Sequence, residues 1–318
     1  MPVGRRQSID DHMTLFARHG RLTLIAGLAV GIAFPALADI MRGSLTILIA
    51  SLLLLSAYRI GLARVAGSLA DARRTLLLVL VLQVALPLAL WLATLPLPQA
   101  GLVGTLAAAV VLLTASSSIA GAPNIVAMTG HDGASALRLL ILGTALLPFT
   151  VIPTFLAIGL SVNVLDASLR LLAIIALACG LGFALRRFTD EPDAGTIARV
   201  DGWSALLMGV VVIGLMSAVG PALRDAPATL GWTLLAAFAA NFGLQLLAAA
   251  LLPASPDRAG QAFVAGNRNM ALFLAALPPG ATEPMMLFIG CYQIPMYLTP
   301  VLLGRFYRQL DAGGGSPR

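Results

Sequence analysis

The stretch Ser116-Ser117-Ser118-Ile119-Ala120-Gly121-Ala122-Pro123-Asn124 sits in the middle of an otherwise apolar run, Leu102–Thr129, and Gly266-Asn267-Arg268-Asn269 sits in the middle of another, Gln261–Pro278. Proline lacks an N–H and clashes with the preceding turn. Strongly polar side chains in hydrocarbon must face protein or water. Each stretch therefore predicts a membrane helix broken near its centre. A break frees backbone amides and carbonyls that lipid cannot satisfy. Two such breaks at corresponding places in the halves of one chain point to the binding site of a transporter.

The rest of the chain supports membrane embedding. Hydrophobic residues make up 59% and charged residues 11% of the 318, whereas soluble domains carry about 25% charged residues. The apolar material falls in blocks close to the ~20 residues that span a bilayer as a helix. Ten spans are legible: Leu22–Ala38, Ser44–Leu62, Leu76–Leu95, Leu102–Thr129, Ser135–Leu160, Leu169–Leu185, Gly202–Gly220, Leu230–Leu252, Gln261–Pro278 and Pro284–Gly304. Ala36-Leu37-Ala38 before Asp39 imitates a signal-peptidase site, but the span count needs this segment as helix 1.

All 20 basic residues are arginine. With the N-terminus inside, sixteen fall in inner segments, three (Arg42, Arg170, Arg224) in outer ones, and Arg268 is left within a span. The positive-inside rule then places both termini in the cytoplasm of a bacterial inner membrane. The net charge of +6 is scattered over short loops, so it forms no nucleic-acid face. Cys179 and Cys291 lie in apolar spans with no CxxC spacing, which suits small packing residues.

Five spans followed by five give two halves of opposite orientation. Leu28-Ala29-x-Gly31-x-x-Phe34 in span 1 echoes Leu177-Ala178-x-Gly180-x-x-Phe183 in span 6, and the broken spans 4 and 9 are counterparts. The expected fold is thus an all-α polytopic membrane protein of ten transmembrane helices in two inverted five-helix repeats, with broken helices 4 and 9 crossing. Its divisions are a cytoplasmic segment over 1–21, repeats over 22–160 and 161–304, and a cytoplasmic tail over 305–318, disordered from Asp311. Asn241 and Gln245 of span 8 are four apart and share a helical face, where they could line the core or bond between helices.

Further features have a recognisable order: Gly31-Ile32-Ala33-Phe34-Pro35 ending span 1, Gln83 and Pro87 in span 3, Asn124 followed by Gly130-His131-Asp132 and Pro148, and Gly266 with Asn269 in span 9. On these residues the chain resembles the bile acid:sodium symporter family over nearly its whole length. The resemblance implies a core of helices 3–5 and 8–10, a panel of helices 1, 2, 6 and 7, and substrate binding where helices 4 and 9 cross. It makes Ser118, Pro123, Asn124, Asn267, Arg268 and Asn269 candidate substrate-binding residues and Gln83 a candidate core-lining residue beside Asn241 and Gln245.

The departures from the family pattern concern sodium. Val264 stands where the family has glutamate, Arg268 where it has glutamine, and Ala136 and Leu140 at hydroxyl-bearing positions of span 5. A cation about 4 Å from a guanidinium is repelled by roughly 4 kcal/mol at an effective dielectric near 20. The expectation is that the family's sodium sites are not preserved and that no other cofactor is bound. Arg268 has two open roles: binding a carboxylate or sulfonate by bidentate hydrogen bonds, or satisfying unwound carbonyls of span 4.

The expected function is secondary transport of small organic anions. A non-transporting sensor or scaffold and a cation/proton antiporter remain as alternatives, the latter disfavoured because no carboxylate lies within a span. No Ser-His-Asp arrangement suggests an enzyme, and no GxxxxGK[ST] loop exists in a chain without lysine. His131-Asp132 reads as a solvated loop, Arg138 as a side chain snorkelling to the interface, and Met285, Met286 and Met296 as packing residues.

Overall fold

The computed structural model describes residues 20–68, 72–160, 162–189 and 191–310. The expectations placed on Arg5, Arg6, His12, Arg18 and His19, and on the tail from Asp311, lie outside these residues. Among the described residues the regular structure is helical, with a single isolated bridge and no strand.

In chain order the helices are α1 Gly20–Ala33, α2 Pro35–Gly43, α3 Leu45–Ser68, α4 Ala72–Leu80, a π-turn over Val81–Ala85, and α5 Leu86–Thr94. There follow α6 Gly101–Ala115, α7 Ala122–Met128, α8 Ala134–Thr150, α9 Ile152–Ala157, α10 Val164–Arg187 and α11 Ala194–Leu215. The last are α12 Val219–Asp225, α13 Pro227–Leu251, α14 Arg258–Gly266, α15 Ala271–Ala276, α16 Pro279–Thr282, a 3-10 turn over Glu283–Met285, α17 Met286–Leu302 and α18 Gly304–Leu310. Several starts are set by residues that suit an N-terminus. Asn163 accepts from the amides of Leu165 and Asp166 at 3.1 and 3.2 Å, and Asp193 accepts from Thr196 N at 2.7 Å, occupying donors that a first turn leaves free. Pro35, Pro123, Pro153 and Pro227 each open a helix, where a missing N–H does no harm.

Among the described residues six helices are long and apolar enough to cross a membrane, and seven if the bent pair α1–α2 is one span. The expected span Leu22–Ala38 is not one helix. It ends at Ala33, Phe34 leaves helical geometry (φ −123°, ψ 74°), and α2 departs at 111°, because Pro35 disfavours helical backbone at the residue before it. The expected spans 4, 5 and 9 are likewise each built of two shorter helices: α6 with α7, α8 with α9, and α14 with α15. The expected cytoplasmic tail over 305–318 begins with a helix. Residues 304–310 form α18, and Tyr307 is buried.

The surface is apolar and much of the interior is polar. Ile47, Leu177, Trp203 and Trp232 are exposed, while Gln83, Ser116, Ser117, Ser118, Asn241, Gln245 and Arg268 are buried. Such a surface cannot face water without aggregating and is the one a bilayer solvates.

Small residues allow helices to approach closely. α1 packs against α11 and α3 against α10. A Cβ on Gly27 would lie 2.6 Å from Gly209 O, and one on Gly182 would lie 2.4 Å from Leu54 O. The glycine echo noted in the sequence is not a shared contact. A Cβ on Gly31 would meet Met216 at 2.6 Å, whereas Gly180 faces open space and its neighbour Gly182 makes the close approach.

Candidate functional site

The two broken helices meet. α6 ends at Ala115, and Ser116 turns extended (φ −75°, ψ 165°); α14 ends at Gly266, and Asn267 takes φ −111°, ψ 87°. The unwound segments then pair. Ile119 N donates to Asn267 O at 3.2 Å, Asn269 N donates to Ser117 O at 2.7 Å, and Ser118 and Arg268 form one antiparallel bridge. Each break supplies the backbone partners the other lost, the accounting that a site shielded from water demands. Ser116, Ser117, Ser118, Asn267 and Arg268 are each at most 2% exposed.

Arg268 extends from this junction into a third element. Its Nη2 donates to Leu82 O at 2.9 Å and to Thr114 O at 2.5 Å. Both carbonyls are short of helical donors. Thr114 lies in the last turn of α6, and the residue four further on, Ser118, has left the helix for the bridge. Leu82 lies in the π-turn, where the donor five residues on would be Pro87, which has no N–H. The guanidinium fills both vacancies. Its Nε, however, is buried with no hydrogen-bond partner, as is Ser117 Oγ in the opposing unwound segment.

No carboxylate balances this charge among the described residues. The ion pairs join Arg42 to Glu283, Arg59 to Asp201, Arg74 and Arg138 to Asp257, and Arg170 to Asp166. Removing an ion from water costs several kcal/mol after relaxation, and two carbonyl dipoles offset only part of that. The junction is therefore a buried cationic centre with an unused donor.

A second layer fixes the α14 side of the break. Asn241 Nδ2 donates to Gly266 O at 2.5 Å and to Asn267 Oδ1 at 3.3 Å. The Tyr292 hydroxyl donates to Gly266 O and accepts from Arg268 N at 3.0 Å. Gln245 Nε2 donates to Asn241 Oδ1 at 2.7 Å, and Tyr307 donates to Gln245 Oε1 at 2.7 Å. Gly266 is required here: a Cβ would lie 2.1 Å from Asn241 O.

The structure thus brings Ser118, Asn267, Arg268 and the backbone of Asn269 together, with Asn241 and Gln245 behind them. It does not bring in every candidate. Asn124 is exposed on α7, away from the buried pairing, and Pro123 is half-buried at the start of that helix. Gln83 braces the π-turn against α8 instead: its Nε2 donates to Gly143 O at 3.2 Å and its Oε1 accepts from Thr150 at 2.8 Å. Val264, Ala136 and Leu140 are buried apolar side chains in α14 and α8. Arg138 does not snorkel freely but pairs with Asp257 Oδ1 at 2.8 Å. Asp132 accepts from Ala134 N at 2.9 Å, and His131 bonds Thr129 Oγ1 at 3.1 Å.

Tyr292, Thr299 and Tyr307 were missed from the sequence. Tyr292 and Thr299 are seven apart in an apolar helix, hence on one face, and that polar stripe was the available signal. A cavity of about 450 Å³ lies elsewhere, between α2–α3 and α15–α17, beside Asp39, Arg42, Thr46, Leu274, Thr282 and Met286. The Arg42–Glu283 pair stands at its edge. No family model matches the chain, and no match was found among curated proteins.

Proposed function

We propose that this chain is a secondary transporter of small organic anions, working by alternating access about the junction of the broken helices. The observation that carries the reading is Arg268: a buried guanidinium, unpaired by any described carboxylate, with Nε unused, at the meeting of two unwound segments. An organic carboxylate or sulfonate supplies the missing negative charge and accepts from Nε. At about 4 Å and an effective dielectric near 20 the attraction is roughly 4 kcal/mol. The two roles left open for Arg268 combine: Nη2 holds the breaks together, and Nε is the donor left for a ligand.

The packing supports ten spans in two inverted repeats. Exchanging spans 1–5 with 6–10 carries the contact α1·α11 onto α10·α3, α5·α6 onto α13·α14, and α4·α8 onto α13·α17. Core and panel are then spans 3–5 with 8–10, and 1, 2, 6 and 7. In this reading the cavity beside Arg42 lies at the outer face and both termini lie in the cytoplasm. Sodium does not fit the junction. The carbonyls of Leu82 and Thr114 that could ligate it already accept from a fixed cation, so transport is not coupled to sodium at this place. The resemblance to bile acid:sodium symporters extends to the transport class and not to its energy source.

Thermal-shift measurements on detergent-purified protein test the binding step, using taurocholate and benzoate with and without sodium. The expected result is stabilisation of the parent by an anion, independent of sodium and lost in Arg268→Gln. Equal stabilisation of both proteins sinks the assignment of Arg268. Stabilisation without transport in proteoliposomes favours a sensor.

A further inference from the structure

α3 and α10 end side by side at the boundary of the apolar zone, whose candidate spans stop at Leu62 and Arg187. The two helices are pressed together at Gly182. Beyond that contact α3 kinks at Gly61 (φ 70°, ψ 155°), and a Cβ there would lie 3.3 Å from Arg186 Nε. A cavity of about 360 Å³ opens at the kink, bordered by Arg59, Phe183, Arg186, Arg187, Glu191 and Ile197.

The charges of this cavity do not cancel. Arg59 is neutralised by Asp201, which accepts from its Nε and, at 3.1 Å, from its Nη2. Arg186 and Arg187 form no ion pair with a described residue, and Nη1 of Arg186 is buried without a hydrogen-bond partner. Among the described residues bordering the cavity, one unpaired carboxylate stands against them, the exposed Glu191. The balance favours a ligand of net negative charge, and an arginine fork suits phosphate oxygens.

A second feature says what carries that phosphate. Leu62, 50% exposed where the candidate span of α3 stops, borders the same cavity, as does Phe183. Basic pockets between helices at a membrane boundary bind lipid headgroups, and here exposed apolar surface at the end of a candidate span adjoins one.

We propose that this cavity binds the phosphate of an anionic phospholipid, with Arg186 and Arg187 holding the headgroup and an acyl chain lying against Leu62 and Phe183. The assignment is independent of the transport reading.

Native mass spectrometry of the full chain in detergent tests it, with dioleoyl-phosphatidylglycerol, dioleoyl-phosphatidylcholine and inorganic phosphate as probes. Phosphatidylglycerol is expected to bind the parent about tenfold tighter than phosphatidylcholine, a difference of about 1.4 kcal/mol. The preference is lost in the double variant Arg186→Gln/Arg187→Gln and kept in Arg170→Gln, which removes an exposed charge at the other end of α10. Equal binding of the two lipids by the parent overturns the proposal and needs no variant. A preference that survives the double variant also overturns it. Displacement of phosphatidylglycerol by equimolar inorganic phosphate would assign the arginines to a soluble anion and refute the lipid.

Discussion

Tyr292→Phe deletes one oxygen from the site, and the structure says which groups are left stranded. The hydroxyl donates to Gly266 O and accepts from Arg268 N at 3.0 Å and from Asn241 Nδ2 at 3.3 Å. Gly266 O keeps Asn241 Nδ2 at 2.5 Å, so neither of those two groups is orphaned. Arg268 N has no other partner among the described residues. One buried donor is therefore left unsatisfied, at about 1–3 kcal/mol. Interhelical bonds in membranes average roughly 0.6 and reach about 1.7 kcal/mol, which narrows the expectation to about 1–2 kcal/mol. At about 2–4 °C per kcal/mol the melting temperature falls by about 2–8 °C. Tryptophan fluorescence during heating in detergent measures this. Tyr307→Phe serves as comparison, since it strands only Gln245 Oε1, an acceptor. A Tyr292→Phe protein that melts with the parent refutes the idea that the hydroxyl completes the backbone accounting of the break.

Three further outcomes follow from the same geometry. Gly266→Ala drives a methyl into Asn241 O and Gln245 Cγ, which would lie 2.1 and 2.5 Å away; overpacking of this kind costs about 1–3 kcal/mol or more, and loss of folded yield in size-exclusion chromatography checks it. Gly182→Leu pushes against Leu54 O and the Ala57 methyl, so it should separate α3 from α10, read as faster proteolysis at the kinked end of α3. Arg42→Glu removes an ion pair that is largely exposed on the Glu283 side. Its effect on stability is below about 1 kcal/mol, but the uptake rate should change if the pair closes the outer cavity, and Arg42→Glu with Glu283→Arg should restore it.

Much of the fold was legible because two signals are strong in the sequence. Apolar runs of bilayer length mark spans, and Pro123, Asn267 and Arg268 mark the places where a span cannot remain helical. Less legible was anything that depends on which carbonyls a break strands. Leu82 is an unremarkable apolar residue, and only the π-turn together with Pro87 turns its carbonyl into a partner for Arg268. Gln83 and Asn241 look alike as amides in apolar helices, yet one braces the π-turn against α8 and the other holds the junction. Asn124 stood beside the break in sequence, but the turn that starts α7 carries it to the surface. Tyr307 lay beyond the last apolar run, where tail was expected, and its burial comes from packing that no local pattern encodes.

The central claim is that Arg268 holds an organic anion during transport, and uptake of radiolabelled taurocholate and benzoate into proteoliposomes addresses it directly. The account predicts accumulation by the parent without sodium, and a loss on the order of 10³ in uptake for Arg268→Gln, the roughly 4 kcal/mol of attraction converted to a ratio. Uptake that requires sodium, or that Arg268→Gln supports as well as the parent, contradicts it.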